Sequence, residues 1–151
     1  MRISARTDYA VRVLVSLAAD SSRPLTCESI AAHQQIPYRF LKSVVRDLRV
    51  AGLVRSQRGC EGGYWLGRAA EQISLADVVA AVDGELLTVN GEVPEPSGYP
   101  APADRVEVLW QGLRARLAGI FAGVTIADLI GDAPGTEAAA LFAGARLAPA
   151  V

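Results

Sequence analysis

The stretch PYRFLKSVVRDLRVAGLVRSQRGCEGGYWLG, residues 37–67, decides the fold of this chain. Its first half predicts a helix, because Pro37 suits a first helical turn and Gly52 is a typical C-terminal stop. Four apolar residues recur at the i, i+3, i+4 and i+7 spacing of one helix face: Leu41, Val44, Val45 and Leu48. This face is expected to pack into a core.

The other side of the predicted helix is basic. The same spacing recurs two residues earlier in Arg39, Lys42, Ser43 and Arg46. A helix with one apolar stripe and one basic stripe suits a reader of the DNA major groove. Tyr38, near the helix start, is placed to reach a phosphate or a thymine methyl group. A solvated helix whose charges only confer solubility has the same pattern, so the helix alone leaves both interpretations open.

A hairpin is predicted after this helix. Residues 53–56 and 64–66 have the composition of short strands, and the glycine-rich RGCEGG between them permits a tight, exposed tip. Arg55 and Arg58 place positive charge along the hairpin, where contact with the minor groove or with phosphates is expected.

Two further helices are predicted ahead of the basic one. Residues 7–20 carry a broad apolar face that Ser4 or Thr7 is placed to cap, and Thr26 is placed to cap the short helix CESIAAHQQ. Ser4, Arg6 and Thr7, at the start of the first helix, are candidates for anchoring a phosphate. Helix, short helix, basic helix and basic hairpin, in this order, predict a winged helix-turn-helix.

The predicted fold is therefore mainly α-helical with a small β-hairpin wing. Residues 1–84 form the DNA-binding domain, which closes with the helix SLADVVAAVDG, capped by Ser74. Residues 85–103 contain four prolines and two glycines without a helical period, and they predict a long loop of the kind that is often functional. Residues 132–151 are rich in alanine, glycine and proline and predict a partly disordered tail.

Residues 104–131 are predicted to hold the longest helix, followed by a short helix around residues 125–130. Seven apolar residues keep the helical rhythm for five turns: Val106, Leu109, Trp110, Leu113, Leu117, Ile120 and Phe121. A small winged domain cannot cover so wide a stripe, so we interpret this segment as a dimerisation helix. The alternative is that the stripe packs back on its own domain.

Charge is divided between the two halves of the chain. Residues 1–68 hold 11 basic against 5 acidic residues, whereas residues 69–151 hold 4 against 11. Ten of the 11 basic residues are arginine, which suits bidentate contacts with phosphate and guanine. The net charge of −1 thus hides a basic half that favours double-stranded DNA as a partner. Chance segregation of solvated charges is the alternative.

The two cysteines are too few for a disulfide framework and are typical of a reducing cytoplasm. Neither a signal peptide nor a membrane-spanning segment is expected. Cys60 lies at the predicted hairpin tip and Cys27 in the first turn of the second helix, so both are candidate redox residues. The competing interpretation of Cys60 is a small residue that the tip tolerates, and that of Cys27 is a small buried hydrophobic residue.

No catalytic constellation is visible in the sequence. The single histidine, His33, has no apparent carboxylate or thiol partner, and no phosphate loop, zinc-ligand spacing or nucleophile elbow occurs. An enzyme is therefore not expected. A winged domain that binds a protein instead of DNA is the second interpretation, although the retained basic residues count against it.

Several segments resemble the Rrf2 family of bacterial winged-helix regulators, which includes IscR-, NsrR- and CymR-type proteins. The segments are MRISARTDYAVRVL, IPYRFLKSVVRDLRVAGLVRS, RGCEGGYWLGR and ISLADVVAAVDG, with support from VLWQGLRARL and TIADL. The resemblance runs from Met1 to about Gly131. It implies a homodimer crossed through the long helix, two recognition helices on a pseudo-palindromic operator, and repression as the usual mode of action.

The chain departs from this family in the loop before the long helix. Relatives that carry an iron–sulfur cluster place cysteines there, but residues 85–103 contain none. Asp8 matches a carboxylate ligand of some relatives, yet one oxygen ligand cannot hold a cluster that needs thiolates or imidazoles. We therefore predict no iron–sulfur cluster and no metal. The expected signals are a small molecule beneath the loop near Tyr99 and Trp110, a partner protein on the acidic half, or thiol oxidation.

Overall fold

A computed structural model describes residues 3–94 and 98–147 of the protein. The main elements are α1 (Ala5–Ala19), α2 (Cys27–Gln34), α3 (Tyr38–Val50), β1 (Val54–Gln57), β2 (Gly63–Leu66), α4 (Leu75–Val82), α5 (Asp104–Gly123) and α6 (Thr136–Leu147). Two short 3-10 turns, Ala70–Gln72 and Ala127–Leu129, lie between them. The predicted fold, mainly helical with a two-stranded wing, is confirmed.

Polar side chains cap the helices where the sequence predicts them. Thr26 caps α2 by accepting a hydrogen bond from the backbone N–H of Ser29 at 3.1 Å. Ser74 and Asp77 form a reciprocal capping box at the start of α4. Of the two candidates at α1, Ser4 is the cap, because its Oγ accepts from the N–H of Thr7 at 3.0 Å.

One hydrophobic core joins the first four helices and the wing. The apolar stripe of α3 is buried in full: Leu41, Val44, Val45 and Leu48. It packs with Val13 and Leu14 of α1, Ile30 of α2 and Ile126 beyond α5. Each such side chain contributes about 1.5–3 kcal/mol of burial free energy, so this stripe fixes the orientation of α3. The basic side of α3 is thereby turned outward.

The wing is a short antiparallel hairpin with a tight base. β1 pairs with β2 from Val54–Leu66 to Gln57–Gly63. β2 also pairs with Leu25, and the amides of Leu25 and Tyr64 donate to each other's carbonyls at 3.0 and 2.8 Å. A Cβ at Gly67 would lie 2.1 Å from the carbonyl oxygen of Gly52. Only glycine therefore fits where the chain leaves the hairpin.

The second half is built around α5. The strand-like segment after this helix is hydrogen-bonded to the start of α4, with Leu75 N–H donating to Val124 O and Ile126 N–H to Ile73 O, both at 2.9 Å. The loop before α5 contains a small turn in which Val89 and Glu92 pair through backbone hydrogen bonds of 2.8 and 3.1 Å. Nowhere in residues 3–94 and 98–147 is there a helix long and apolar enough to cross a membrane.

The tail differs from the expectation. A partly disordered segment was expected over residues 132–151, but Thr136–Leu147 forms the helix α6. Its alanines favour a helix, and Ala138 is buried beside α5. Residues 148–151 lie outside the described part of the chain.

Candidate nucleic-acid interface

The outer side of α3 presents a row of basic side chains. Arg39, Lys42 and Arg46 are exposed, as predicted, and Ser43 is half-buried between them. The structure adds Arg49, which is also exposed on this side. Arg49 is not among the residues predicted from the sequence, although its position three residues after Arg46 continues the same spacing.

The wing continues the basic surface. Arg55 lies over the ring of Trp65, with its guanidinium carbon 5.4 Å from the ring centroid, and its Nε donates to Leu66 O at 3.3 Å. The indole N–H of Trp65 in turn donates to Gln57 Oε1 at 2.8 Å. Arg58 is exposed near the tip, where Gly59 has φ +117°, a conformation that favours glycine. Arg55 is therefore held in place, whereas Arg58 extends into solvent.

We call the exposed arginines and lysine of α3 and the wing the basic face: Arg39, Lys42, Arg46, Arg49, Arg55 and Arg58. A depression of about 420 Å³ lies between α3 and the wing, and Lys42, Arg46, Arg49 and Tyr64 line it. A convex helix beside a projecting hairpin matches the shape that a major groove and its flanking backbone require.

Tyr38 supports Lys42 from the start of α3. Its hydroxyl donates to Glu28 Oε1 at 2.6 Å, and Lys42 Nζ lies 5.6 Å from its ring centroid. The hydrogen bond between these two side chains raises the pKa of Tyr38 to about 12. The same bond lowers the pKa of the Glu28 carboxyl. The Tyr38 hydroxyl therefore already donates its proton to Glu28. To donate to a phosphate, as predicted, it would have to break this hydrogen bond.

Arg6 connects three elements behind the basic face. Its guanidinium donates to Ser43 Oγ at 3.2 Å and to Val82 O at 3.3 Å, and it forms an ion pair with Asp47. Asp47 also accepts from Arg46 Nε at 3.2 Å. Two residues that the sequence predicts as DNA contacts, Arg6 and Ser43, are therefore bonded to each other. Arg6 fixes α3 against α1 and the end of α4.

The side chains of Ser4 and Thr7 both form hydrogen bonds with Asp83. Their hydroxyls donate to the same carboxylate oxygen, Asp83 Oδ2, at 2.5 and 2.6 Å. Thr7 is only 5 % exposed. The expectation that these hydroxyls meet a phosphate thus needs correcting for Thr7, whose side chain is enclosed by its own protein. Both residues join the start of α1 to the end of α4.

The two cysteines lie in different environments. Cys27 is buried in the core near Tyr64, and burial raises the pKa of its thiol. A position in the first turn of a helix ordinarily lowers the pKa of a thiol, but at Cys27 desolvation outweighs that effect. Cys60 is exposed at the wing tip.

The chemistry of an iron–sulfur cluster does not fit these residues. Throughout the described chain, no group of three or more histidine, cysteine, aspartate or glutamate side chains is arranged to hold a metal ion. Asp8, the position that matches a carboxylate ligand in some relatives, forms an ion pair with Arg12 at 3.3 Å. Cys27 is enclosed in the core beside Tyr64, away from the solvent that Cys60 faces.

The predicted dimerisation stripe is only partly covered in the single chain. None of the 20 residues of α5, all of which the structure describes, is buried. Leu109 is 55 % exposed and Leu113 40 % exposed, and Val106 is exposed beside them. The other four residues of the stripe are half-buried: Trp110, Leu117, Ile120 and Phe121. The alternative, in which the stripe packs back on its own domain, accounts for only part of it.

The comparisons with known proteins agree with this architecture. A family model, Rrf2, described as an iron-dependent transcriptional regulator, matches residues 3–132. A Mycobacterium tuberculosis protein described as an HTH-type transcriptional regulator is 41% identical over 138 residues, covering 88% of this chain and 83% of that protein. IscR from Cronobacter sakazakii is 33% identical over 135 residues, covering 87% and 82%.

The comparison with solved structures also finds a regulator with a similar fold. CymR of B. subtilis, described as a global cysteine regulator, matches with a TM-score of 0.73 and 30% sequence identity, covering 86% of this chain and 96% of that one. The two sequence relatives are described as transcriptional regulators and CymR as a regulator, and none of the three is described as an enzyme.

Proposed function

This chain belongs to the Rrf2 family of transcriptional regulators, and on that premise we propose that it binds a pseudo-palindromic DNA operator as a homodimer and represses transcription. The observation that carries the proposal is the basic face. It combines an outward-facing helix with a basic wing on one side of the fold. Helix-turn-helix proteins use these two elements to read the major groove and to hold the flanking backbone.

Within this proposal, the residues of α3 read bases. Arg39, Lys42 and Arg46 are long and exposed enough to reach base edges, and arginine pairs bidentately with guanine. Arg55 and Arg58 contact phosphates or the minor groove, which positions the duplex without specifying its sequence. Arg6, Ser4 and Thr7 act behind the interface by holding α3 against α1 and α4.

The charge distribution supports the same partner. The basic first half draws the phosphate backbone, and the acidic second half repels it, so that DNA is directed to the side of α3 and the wing. Each neutralised phosphate releases counterions, and affinity is expected to fall by roughly one log unit per log unit of salt for each contact.

The proposed homodimer forms through α5. Its exposed leucines provide an apolar surface that a second copy would cover, since the helix presents the same surface in both chains. Two recognition helices would then read half-sites one or more helical turns apart, each turn being about 34 Å.

We further propose that regulation does not use an iron–sulfur cluster. The donor set described above does not fit one, although the family model is described as iron-dependent. The signal is a small molecule at the loop, a partner protein or oxidation of an exposed thiol. We place this activity in the cytoplasm, where DNA and reduced thiols occur together.

The test is DNA binding by the purified protein. Binding to DNA from upstream of its own gene is measured across a salt series, with reduced and oxidised protein, beside an unrelated fragment of equal length. We expect dimeric, salt-sensitive binding that prefers the upstream fragment. Equal, weak binding to both fragments at low salt would overturn the proposal and favour a protein-interaction module with a winged fold.

A further inference from the structure

Residues 89–94 and Tyr99 of the loop before α5, together with the first turns of that helix, border an open cavity of about 420 Å³. It is lined by Val89 and Val93 from the loop, by the aromatic residues Tyr99 and Trp110, and by the acidic residues Glu92 and Glu107. This volume lies within the range of roughly 300–1,000 Å³ that is typical of small-molecule sites. The cavity is distinct from the basic face and contains none of its residues.

The lining has a clear chemical preference. It combines aromatic and aliphatic surface with two acidic groups, and its described part includes no lysine or arginine. The Glu107 carboxylate is held in place, because its Oε2 accepts backbone N–H bonds from Gly98 and Tyr99 at 3.0 and 3.2 Å. Gln111 donates to its other oxygen at 3.3 Å. The negative charge is therefore preoriented at the wall of the cavity.

We infer that this cavity binds a small organic cation, such as an amine, a guanidine or a quaternary ammonium compound, as the effector of the protein. Aromatic rings attract such cations through their electron-rich faces, and nearby carboxylates add a direct charge interaction. An organic anion of the same size would meet two like charges. The aliphatic side chains fit the carbon skeleton of the ligand.

The cavity is linked to the DNA-binding domain by short connections. The loop begins two residues after Asp83, whose carboxylate holds Ser4 and Thr7. Glu85 also forms an ion pair with Arg114 of α5 at 3.4 Å. A ligand that ties the loop to α5 therefore acts on the segment that joins α5 to the end of α4. In this regulatory consequence, the inference rests on the proposed function.

The first experiment measures binding without DNA. Benzyltrimethylammonium is titrated into the full chain and followed by calorimetry and by the two indole N–H signals in NMR spectra, with phenylacetate as the anionic counterpart. We expect saturable binding of the cation only, with the Trp110 signal shifting and the Trp65 signal unchanged. A Trp110→Phe variant assigns the signals. Absence of binding, equal binding of phenylacetate, or movement of both signals would overturn the inference.

Glu92 provides the sharper variant, because it is an exposed acidic residue of the cavity lining and it pairs in the loop turn through its backbone. Glu92→Gln is expected to weaken binding about tenfold, the loss of one favourable charge interaction. Glu71→Gln removes an equally exposed carboxylate outside the cavity and should leave binding unchanged. Equal effects of the two substitutions would contradict the assignment.

The second experiment separates this inference from the proposed function. The affinity for the upstream DNA is measured with and without the saturating cation. We expect the affinity for DNA to change by about threefold or more, since couplings of about 5- to 150-fold are common in allostery. Cation binding without this change would overturn the effector role. DNA binding without cation binding would overturn the cavity assignment alone, and cation binding without DNA binding would leave the cavity and overturn the regulator.

Discussion

Two amphipathic helices of this protein, α3 and α5, are completed in opposite ways. The apolar side of α3 is buried in its own protomer, and the side left outside is basic. In α5 no residue is buried, and the side left outside is apolar. Both helices satisfy the same sequence pattern, so periodicity alone does not tell which molecule covers a helix face. The chemistry of the uncovered side indicates the partner. The basic side of α3 suits a polyanion, and the apolar side of α5 suits a second copy of the chain.

The first way to test this contrast is to truncate one leucine in each helix. Leu48→Ala in α3 removes a side chain with no exposed surface, and the free energy of unfolding should fall by about 2–5 kcal/mol. Leu109→Ala in α5 should lower stability only at concentrations where the proposed dimer forms, because in that dimer a second copy covers Leu109. Denaturant unfolding at several protein concentrations measures both. Equal, concentration-independent losses would contradict the contrast.

The second test disrupts the surface of α5 directly. Leu113→Asp places a charge on the exposed stripe and is expected to give monomers, detected by sedimentation. Affinity for a two-half-site operator should then fall about hundredfold, since the second half-site no longer binds as part of the same particle. Ala69→Asp adds the same charge at an exposed position outside α5 and should keep the dimer. A dimeric Leu113→Asp protein would remove α5 from the interface.

The third test addresses the basic side of α3. Arg46→Gln should weaken operator binding about tenfold, within the roughly 1–3 kcal/mol of a base contact, and should reduce the dependence on salt. Arg23→Gln removes an exposed arginine that lies outside the basic face and serves as the matched control. Gel-shift titrations of both variants at two salt concentrations measure the loss of affinity and its dependence on salt. If both variants lose equal affinity, net charge rather than the basic face governs binding.

The fourth test concerns Arg6, which supports α3 from behind. Arg6→Gln removes the ion pair with Asp47 and should lower operator affinity about fivefold, while binding to unrelated DNA stays within about twofold. Arg6→Lys restores the charge but not the several simultaneous hydrogen bonds, so only partial recovery is expected. Competition assays with specific and unrelated DNA report this ratio. A parallel loss on both DNAs would mean that Arg6 touches phosphate itself.

The smallest effect is expected at the cysteines. Burial raises the pKa of Cys27 above its ordinary value, so its thiolate is scarce near pH 8, whereas Cys60 is exposed. Iodoacetamide should therefore label Cys60 and leave Cys27 unmodified until the pH rises further or the chain is unfolded, as read by mass spectrometry. Cys60→Ser should bind DNA within about twofold of the parent. Prompt labelling of Cys27 would contradict its burial.

The comparison between α3 and α5 also marks what the sequence is able to predict. The periodic helices, the caps at Thr26 and Ser74 and the hairpin all follow from local patterns, and the structure confirms them. Local patterns reach that far because each depends on residues within one or two turns. The row of basic residues on α3 belongs to the same class, including Arg49, which an extended count would have found.

The features that escaped prediction depend on residues far apart in the chain. Arg6 meets Ser43 and Val82, and Asp83 meets Ser4 and Thr7, across sequence separations that no periodicity records. The burial of Thr7 follows from these contacts, so its hydroxyl was mistaken for an anion ligand. The helix α6 was missed because glycine and proline around it outweighed its alanines in the composition.

The base of the wing also bears on how this scaffold could be re-engineered. At Gly67 there is no room for a side chain, whereas a Cβ at Gly59 near the tip meets no atom within 4 Å. The base of the hairpin therefore requires glycine at position 67, whereas the tip has free space around it. A library that diversifies Arg58, Cys60 and Glu61 together with the outer side of α3 would sample new DNA-binding preferences without disturbing the base of the hairpin. Gly59 is kept because its φ of +117° favours glycine, and selections would discard substitutions at position 67 whatever the target.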